Sequence, residues 1–459
     1  MSNIPSSQYL NDCHRSFSMY VLQTRAFPSI MDGLKDGGRR LLWTARNGDK
    51  YKTATLAGAT MPLHPHADAS DTVDTLTKPY GNNHPLFKGY GSFGTRLKPD
   101  ATGAPRYTSV SVSEFTKDVV FKDIELVPMI ENYDGTLMEP LHFIPLVPIG
   151  LINPSEGIGV GFASKILPRA IGDVVDAQLA HLAGKPIVEP PITFLPFQAT
   201  STSCEVIKSG NTRYWFEGEL TRVDSSTVRI TNIPYGLSHA EVDEHLIELL
   251  DQGVIASFDD RSASELDITV KFGRGALKHQ TDAQILRSLK LRSSVVENMN
   301  MTDFTGDRVI PVTYKSVISL FTDWRLDWYL TRYLRLKELV EKDIQRYKDI
   351  ILAIAKNVGD KGRKCANKKE LIEWLESIGV VYTEYVADLP VYRLTIEEAQ
   401  KAQKKLDEAM ITLAGYQVLI DSADERKKVY IQELKEVKKK YQAAFVPPPI
   451  VKEKKKATA

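Results

Sequence analysis

Pro105-Arg106-Tyr107-Thr108 lies in the first third of this 459-residue chain, and its reading decides both fold and chemistry. A phenol titrates near ~10 and is a poor nucleophile at neutral pH. Beside an arginine and other fixed cations, a tyrosine can be stabilised as the phenolate. The same cations can hold a phosphate diester in line for attack. Taken alone the pair is commonplace: a solitary tyrosine is more often a half-buried packing residue, and an arginine next to it a surface one. The flanking sequence gives the four residues their weight.

Upstream, Gln8 to Thr24 reads as a helix leading to Arg25-Ala26-Phe27-Pro28. The turn-rich loop Asp32-Gly33-Leu34-Lys35-Asp36-Gly37-Gly38 feeds a helical run from Arg39 to Arg46. Another short helix is expected over Asp68 to Lys78, stopped by Pro79. The glycines at 89, 91 and 94 permit a tight loop close to another backbone. Two helices joined through loops and followed by a short β segment suit a helix-turn-helix or winged-helix module. Residues 1–110 hold 13 Lys/Arg against 8 Asp/Glu, and four of the nine histidines, while the chain as a whole carries only +1. A basic first third suits a polyanion partner, although so small an excess also arises by chance.

Downstream, residues 143–310 mix strand-like runs (Tyr214-Trp215-Phe216, Thr227 to Ile230, Leu266 to Val270) with helical ones such as Ala240–Leu250. This reads as an α+β domain, with an exposed proline-rich loop near 186–196. From Thr322 to Asn357 the apolar residues Tyr333, Leu336, Val340, Ile344, Tyr347, Ile351 and Ile354 recur at steps of three or four. A second stripe runs through Leu406, Met410, Leu413, Tyr416 and Ile420, and resumes at Tyr430, Leu434, Val437 and Tyr441. The pair reads as an antiparallel coiled-coil arm with a small globular end at about 358–398, and two ordinary helices of a bundle share the same periodicity. The end of the chain, Val446-Pro447-Pro448-Pro449 followed by Lys452 to Lys456, reads as a disordered basic tail over 446–459.

Composition narrows the class. Hydrophobic residues at 42% and charged residues at 25% are ordinary for a soluble protein of two to four domains. No run approaches the ~20 apolar residues of a membrane span, and no secretory signal pattern opens the chain. The three cysteines, Cys13, Cys204 and Cys365, are far apart, which suits a reducing cytoplasm and speaks against structural zinc.

In one order along the chain stand Arg25-Ala26-Phe27-Pro28, Asp32-Gly33-Leu34-Lys35, Arg39-Arg40, His64-Pro65-His66, Gly91-Ser92-Phe93-Gly94, Arg106-Tyr107-Thr108, Asn132-Tyr133-Asp134-Gly135-Thr136, and Ser155-Glu156-Gly157-Ile158-Gly159-Val160-Gly161. This series resembles the DNA breakage-reunion subunit of type IIA topoisomerases, the gyrase A and topoisomerase IV C type, from about residue 8 to 445. In length the chain is similar to the medium subunit of T-even-type phage topoisomerases, without the C-terminal DNA-wrapping domain of cellular homologues. That implies no gyrase-type negative supercoiling.

The resemblance implies a multidomain α+β fold: a winged-helix head over 1–142, an α+β tower over 143–310, and a coiled-coil arm with a globular exit-gate segment over 311–445. It also assigns roles. Tyr107 would attack a backbone phosphate, becoming joined to the 5′ end and releasing a 3′-hydroxyl, with Arg106 stabilising charge beside the scissile phosphate. Arg25, Lys35, Arg39 and Arg40 match positions that grip or activate DNA phosphates. Of these, Arg39 is the one most readily read as structural instead. His64 and His66 match an element that positions the phosphate or relays a proton. Ile158 matches an apolar wedge inserted between base steps.

Some positions depart from the family pattern. Ala67 follows His-Pro-His where glycine is usual, Tyr90 opens the Gly-Ser-Phe-Gly loop, and Asp36 replaces a proline. There is no Gly-x-x-x-x-Gly-Lys-Ser/Thr loop and no Asp-x-Asp pair. The resemblance therefore implies that Mg2+ and ATP are held by a B-type partner subunit, and that a homodimer is needed to cut both strands of duplex DNA. The rival reading is a non-catalytic DNA-architectural clamp with the same head and arm. Only the context of Arg106 and Tyr107 separates the two. A non-resealing nuclease is less well supported, for want of a carboxylate cluster.

Overall fold

The computed structural model describes residues 6–442 except 66–68, 100, 160, 196–198, 208–209, 264 and 307. The 446–459 tail and His66 therefore lie outside the described residues. The chain divides into two compact units. Residues up to Arg325, together with those from Glu433 onward, form one; Leu326–Gln432 form the other.

The first unit opens with α1 (Ser6–Val21), which runs on into a single π-helical turn, Leu22–Ala26. Phe27 is extended (φ −113°, ψ 145°), as the residue before Pro28 must be, and the helix stops there. Three more helices follow: α2 (Asp36–Ala45), α3 (Thr53–Thr60) and α4 (Ala69–Thr77). In α2, Asp36 sits in the first turn, where a carboxylate complements the helix dipole, and Gly38, Leu41, Leu42 and Ala45 turn inward at helical spacing. The short strands β1 (Tyr51–Lys52), β2 (Phe87–Tyr90) and β3 (Ser109–Val112) form an antiparallel sheet in the order β1-β3-β2. Leu41, Leu42, Leu56, Val73, Leu86, Phe87 and Val110 are buried in this region.

Helix α3 has no counterpart in the expectations from sequence. Its residues, Thr-Ala-Thr-Leu-Ala-Gly-Ala-Thr, are small-sided apart from Leu56, so no apolar stripe announces it. What fixes α3 is tertiary: Leu56 is fully buried, and its first amides find partners in a distant turn described below.

Further along, Ser155–Gly159 and Phe162–Ile166 form a hairpin in which Gly157 pairs with Ser164 and Ile158 with Ala163. Strands Ser203–Val206, Thr212–Glu217 and Arg292–Glu297 make one antiparallel sheet. A second sheet has the order Glu219–Arg222, Thr227–Asn232, Ile268–Phe272, Ile255–Asp260. Along Thr227–Asn232, Val228 and Ile230 are buried while Arg229 and Thr231 are exposed, the alternation of a half-buried strand. Helices His239–Asp251 and Asp282–Ser288 each begin with a capping box, Ser238 with Glu241 and Thr281 with Gln284. Their apolar faces join this sheet in one core through Val242, Leu246, Leu249 and Ile285.

The 42-residue helix Tyr314–Ala355 begins in the first unit and continues into the second; at ~1.5 Å per residue it is about 63 Å long. Helix Ile396–Asp421 is followed, after a break at Ser422 (φ −115°, ψ 114°), by Ala423–Gln442. The interruption of the second apolar stripe falls at this break. Within the second unit, Tyr333 meets Tyr416 and Tyr329 meets Tyr430 at ring-centroid distances of 5.7 and 5.1 Å. The helices Val358–Lys364, Lys368–Ser377 and Thr383–Ala387 close over a small core of Ala353, Val358, Leu375, Val380 and Val386. Buried Asp349 accepts from the amides of Val381 (3.2 Å) and Tyr382 (2.7 Å). Among the described residues no helix is long and apolar enough to cross a membrane, and all three cysteines are free thiols.

Candidate active site

Tyr107 stands on a turn that leads directly into β3. Its amide donates to Ala104 O at 2.8 Å, and the amide of Thr108 donates to the same carbonyl at 3.3 Å. The turn is gripped from one side by the start of α3. The amide of Thr53 donates to Thr108 O and that of Ala54 to Pro105 O, both at 3.2 Å. These are first-turn amides with no partner inside their own helix, so the tyrosine turn caps α3 while α3 fixes the turn. The hydroxyls of Thr53 and Thr108 meet at 2.8 Å in a buried pair, and Lys52 Nζ donates to Tyr107 O at 3.3 Å. With its backbone held at so many points, the Tyr107 side chain is free to point outward and is 69% exposed. The Arg106 guanidinium lies 4.9 Å from the centroid of the Tyr107 ring. Lys52 and Thr53 carry no signal in the sequence, since they sit more than fifty residues from the tyrosine they support.

His64 follows α3 by a few residues and is buried; its Nε2 is 2.9 Å from the hydroxyl of Tyr20 on α1. Its ring centroid is 5.6 Å from that of Tyr133. The Asn132–Thr136 signature braces this segment. Asn132 donates its side-chain amide to Pro62 O at 3.1 Å, and its Oδ1 accepts from the amides of Thr136 and Leu137 at 3.0 Å each.

The four basic residues singled out in the sequence take different positions. Arg25 is exposed on the π-helical turn. Lys35 is half-buried, and its ammonium donates to Glu156 O at 2.6 Å; burial lowers its pKa, partly offset by the charge of Glu156. Arg39 is buried and donates to Asp32 through Nε (2.7 Å) and Nη2 (3.1 Å) and to Asp36 through Nη1 (2.6 Å). Burial works against its charge, but Asp32 and Asp36 outweigh that and hold the guanidinium above its ordinary pKa. Asp36, the residue that replaces a proline, is thus an ion-pair partner within α2. Arg40 forms a two-pronged pair with Glu139, Nε at 2.5 Å and Nη2 at 3.0 Å. Arg39 cannot meet a phosphate without giving up a carboxylate, and Arg40 has two of its three nitrogens committed to Glu139.

Ile158 is 82% exposed, the fourth residue of its five-residue strand. The glycines on either side face the other way, onto the π-helical turn. A Cβ on Gly157 would stand 1.7 Å from Ala26 O, and one on Gly159 would stand 2.2 Å from Leu22 Cδ2. The hairpin is therefore seated on the very turn that carries Arg25, with Lys35 bonded to its first strand at Glu156. Lys35, Arg25 and Ile158 belong to one contiguous packing arrangement, and Tyr107, Arg106, Lys52 and the α3 start to another.

Comparison with known proteins places this architecture. The fold matches the crystal structure of the Plasmodium falciparum topoisomerase II DNA-binding, cleavage and re-ligation domain with a TM-score of 0.82, covering 95% of this chain and 65% of that one at 21% identity. Residues 25–435 match the family model for the A-type subunit of DNA gyrase/topoisomerase IV, and the chain belongs to that family. It is 25% identical to the A-type DNA gyrase subunit of Synechocystis sp. over 94% of this chain and 54% of the relative. To the A-type DNA topoisomerase 4 subunit of Borreliella burgdorferi it is 29% identical over 61% of this chain and 46% of the relative. To the DNA topoisomerase medium subunit of Enterobacteria phage T4 it is 26% identical over 84% of this chain and 89% of the relative. The chain thus spans about half the length of the cellular relatives it matches, and most of the phage one.

Proposed function

We propose that this chain is the DNA-cleaving and resealing subunit of an ATP-dependent type IIA topoisomerase, which makes a transient double-strand break and passes a second duplex through it. The observation that carries this reading is Tyr107: an exposed phenol on a backbone braced by α3, with Arg106 over its ring. In the reaction the Tyr107 oxygen attacks a backbone phosphorus and the bond to the 3′ oxygen breaks. The phenolic proton is given up, the leaving oxygen ends as a 3′-hydroxyl, and the 5′ phosphate stays on the tyrosine. The reverse displacement by that hydroxyl reseals the strand with no net change in bond type, so resealing needs no ATP.

Arg106 is positioned to offset the charge that grows on the phosphoryl oxygens. His64, held against Tyr20, serves to position the phosphate or relay a proton. His66 belongs to the same proposed element. Arg25 is the most exposed of the phosphate-gripping candidates. Lys35, Arg39 and Arg40 act in this scheme mainly by shaping the surface that meets DNA, and Ile158 is the wedge between base steps.

The groups gathered at Tyr107 are cationic or neutral (Arg106, Lys52, the threonine pair) and suit a phosphate rather than a divalent ion. Mg2+ is therefore assigned to carboxylates of a B-type partner subunit, which also binds ATP. The metal would stabilise charge on the leaving oxygen. Helices α2–α4 with the β1-β3-β2 sheet form the winged-helix head (1–142), the two downstream sheets and their helices the tower (143–310), and the long helices the coiled-coil arm (311–445). Its small core near 358–398 is the exit gate. A duplex has two strands to cut, so two copies of the chain act together.

The decisive experiment mixes the chain with a B-type subunit, ATP, Mg2+ and supercoiled plasmid, and traps with detergent. Protein attached to 5′ ends is expected, and none with Tyr107→Phe. Relaxation by Tyr107→Phe would overturn the assignment.

A further inference from the structure

One face of the β1-β3-β2 sheet carries cations that the cleavage scheme leaves mostly without a task. Lys52, Ser109 and Tyr90 stand opposite one another across the three strands, and Lys88 stands opposite Ser111. Paired residues share a face, and so do residues two apart on a strand. Lys52, Tyr90 and Lys88 therefore project together, while Phe87, Val110 and Val112 are buried on the other side.

Two further lysines converge on this face. Lys50 precedes β1, and its ammonium lies 4.1 Å from the centroid of the Tyr90 ring, with that of Lys88 at 5.6 Å. Lys117 stands on the π-helical turn Thr116–Val120 that follows β3. The Tyr90 hydroxyl is 3.3 Å from that of Ser111. It is held below its ordinary pKa first by that bond and, against some desolvation, by the charges of Lys88, Lys50 and Lys117. All four lysines are exposed, and among the described residues none of them is ion-paired. The acids beside Lys117 in the chain are engaged elsewhere: Glu114 and Asp118 both meet Lys440, at 2.5 and 2.6 Å. Like charges gathered around one ring repel one another, and an anion from outside the chain relieves that repulsion.

We propose that Lys50, Lys88 and Lys117, continuing from Lys52, form a track for the phosphate backbone of the duplex next to the cut. The inference rests on Tyr107 meeting DNA, and it adds a gripping surface to the cations named from the sequence. Continuity with the tyrosine turn favours DNA as the occupant. Lys52 donates to Tyr107 O, so the lysine face starts at the nucleophile, and strands about 4.8 Å apart carry it onward. The side chains also suit phosphate better than protein. Cores of protein interfaces are depleted in lysine and built on aromatic anchors, and here the ring of Tyr90 is overlaid by ammonium groups. Lysines grip phosphates as point charges and read no bases, so the track adds affinity without sequence preference. Its members come from three separate stretches of sequence, and only the pairing of β1 and β2 with β3 gathers them.

Binding of the full-length chain to a short fluorescent duplex, followed by anisotropy over a range of salt, tests the track. Lys50→Gln, Lys88→Gln and Lys117→Gln should each lower the slope of log K against log salt by about one, and the triple variant by about two to three. Arginine at the same three positions should restore the slope. Lys52 is left intact because it also braces Tyr107, and circular dichroism checks that each variant is folded. A second measurement needs no variant: saturating duplex should protect the amines of Lys50, Lys88 and Lys117 from acetylation, mapped by mass spectrometry. The proposal is overturned if the triple variant keeps the full slope, or if duplex leaves these amines as reactive as before. It is equally overturned if the triple variant binds duplex normally and loses the B-type subunit instead, which would give the face to that partner. Detergent trapping on Tyr107 in the unmutated chain is scored separately. Trapped complex together with an unchanged slope removes the track alone, and absence of trapped complex removes the cleavage reading.

Discussion

The hydroxyls of Thr53 and Thr108 lie 2.8 Å apart, with both residues buried. Thr108 follows the candidate nucleophile and Thr53 opens α3, so this one bond ties the position of the tyrosine to a helix. Thr53→Val removes one partner and strands the other, at a cost of about 1–3 kcal/mol. Thermal melts should register that loss. Covalent DNA cleavage should fall at least tenfold while duplex binding is retained. Unchanged cleavage would show that the backbone bonds from Thr53 and Ala54 suffice.

Arg25 and Arg40 should separate cleanly. Arg40 and Glu139 form a largely buried pair, with side chains 12% and 6% exposed, so Glu139→Gln leaves the guanidinium with only the more distant Asp36 (3.7 Å), which Arg39 also engages. Breaking such a pair costs about 3–5 kcal/mol, which should appear as a lowered Tm with the salt dependence of DNA binding unaltered in the folded fraction. Arg25→Ala should do the reverse: little change in stability, and a fall of about one in the slope of log K against log salt.

A pH dependence follows from His84, which is buried against Phe115 (ring centroids 4.5 Å apart) and the edge of Tyr441. Burial lowers its pKa from 6.5 to about 4. Between these values the unfolded chain takes up a proton that the folded chain refuses, so stability falls as the pH drops from about 6.5 toward 4. A shift of this size corresponds to about 3 kcal/mol at the acid end. His84→Leu should flatten the Tm-against-pH curve across that window; an unchanged slope would assign the acid sensitivity to other groups, His142 among them, whose pKa burial also lowers.

Gly157→Ala should be far more damaging than Ile158→Ala. The first drives a methyl into Ala26 O and must displace either the hairpin or the π-helical turn, a cost of about 1–3 kcal/mol or more. The second trims an exposed side chain and should leave the Tm within about 0.5 kcal/mol of equivalent stability. Fluorescence measurement of duplex bending should show both variants defective, for different reasons. Full bending by Ile158→Ala would remove the wedge role.

Periodic elements were legible in the sequence: the long stripes through Tyr333 and Leu406, the alternating strand at Thr227, the helix stopped before Pro79. Helix α3 was not, because Ala, Thr and Gly around a single Leu56 leave no pattern and its start is completed by carbonyls from Pro105 and Thr108. At the site, the order of motifs pointed to Tyr107, Arg106 and Ile158. It could not tell an open cation from a committed one. Arg39 and Arg40 look alike in the sequence, and the partner that occupies Arg40, Glu139, lies 99 residues away. The Asn132–Thr136 signature was visible as a pattern, while its task of bracing Pro62 ahead of His64 emerged only from the fold.

The hairpin under Ile158 has no slack: not even a methyl group fits between Gly157 and the turn behind it. If Ile158 is the wedge proposed for it, a base this stiff cannot yield when it meets a duplex, and the compliance has to come from the nucleic acid. Choice of cutting site should then follow mechanical softness rather than base identity. Cleavage would concentrate where pyrimidine–purine steps unstack most easily, and stiff A-tracts would be spared.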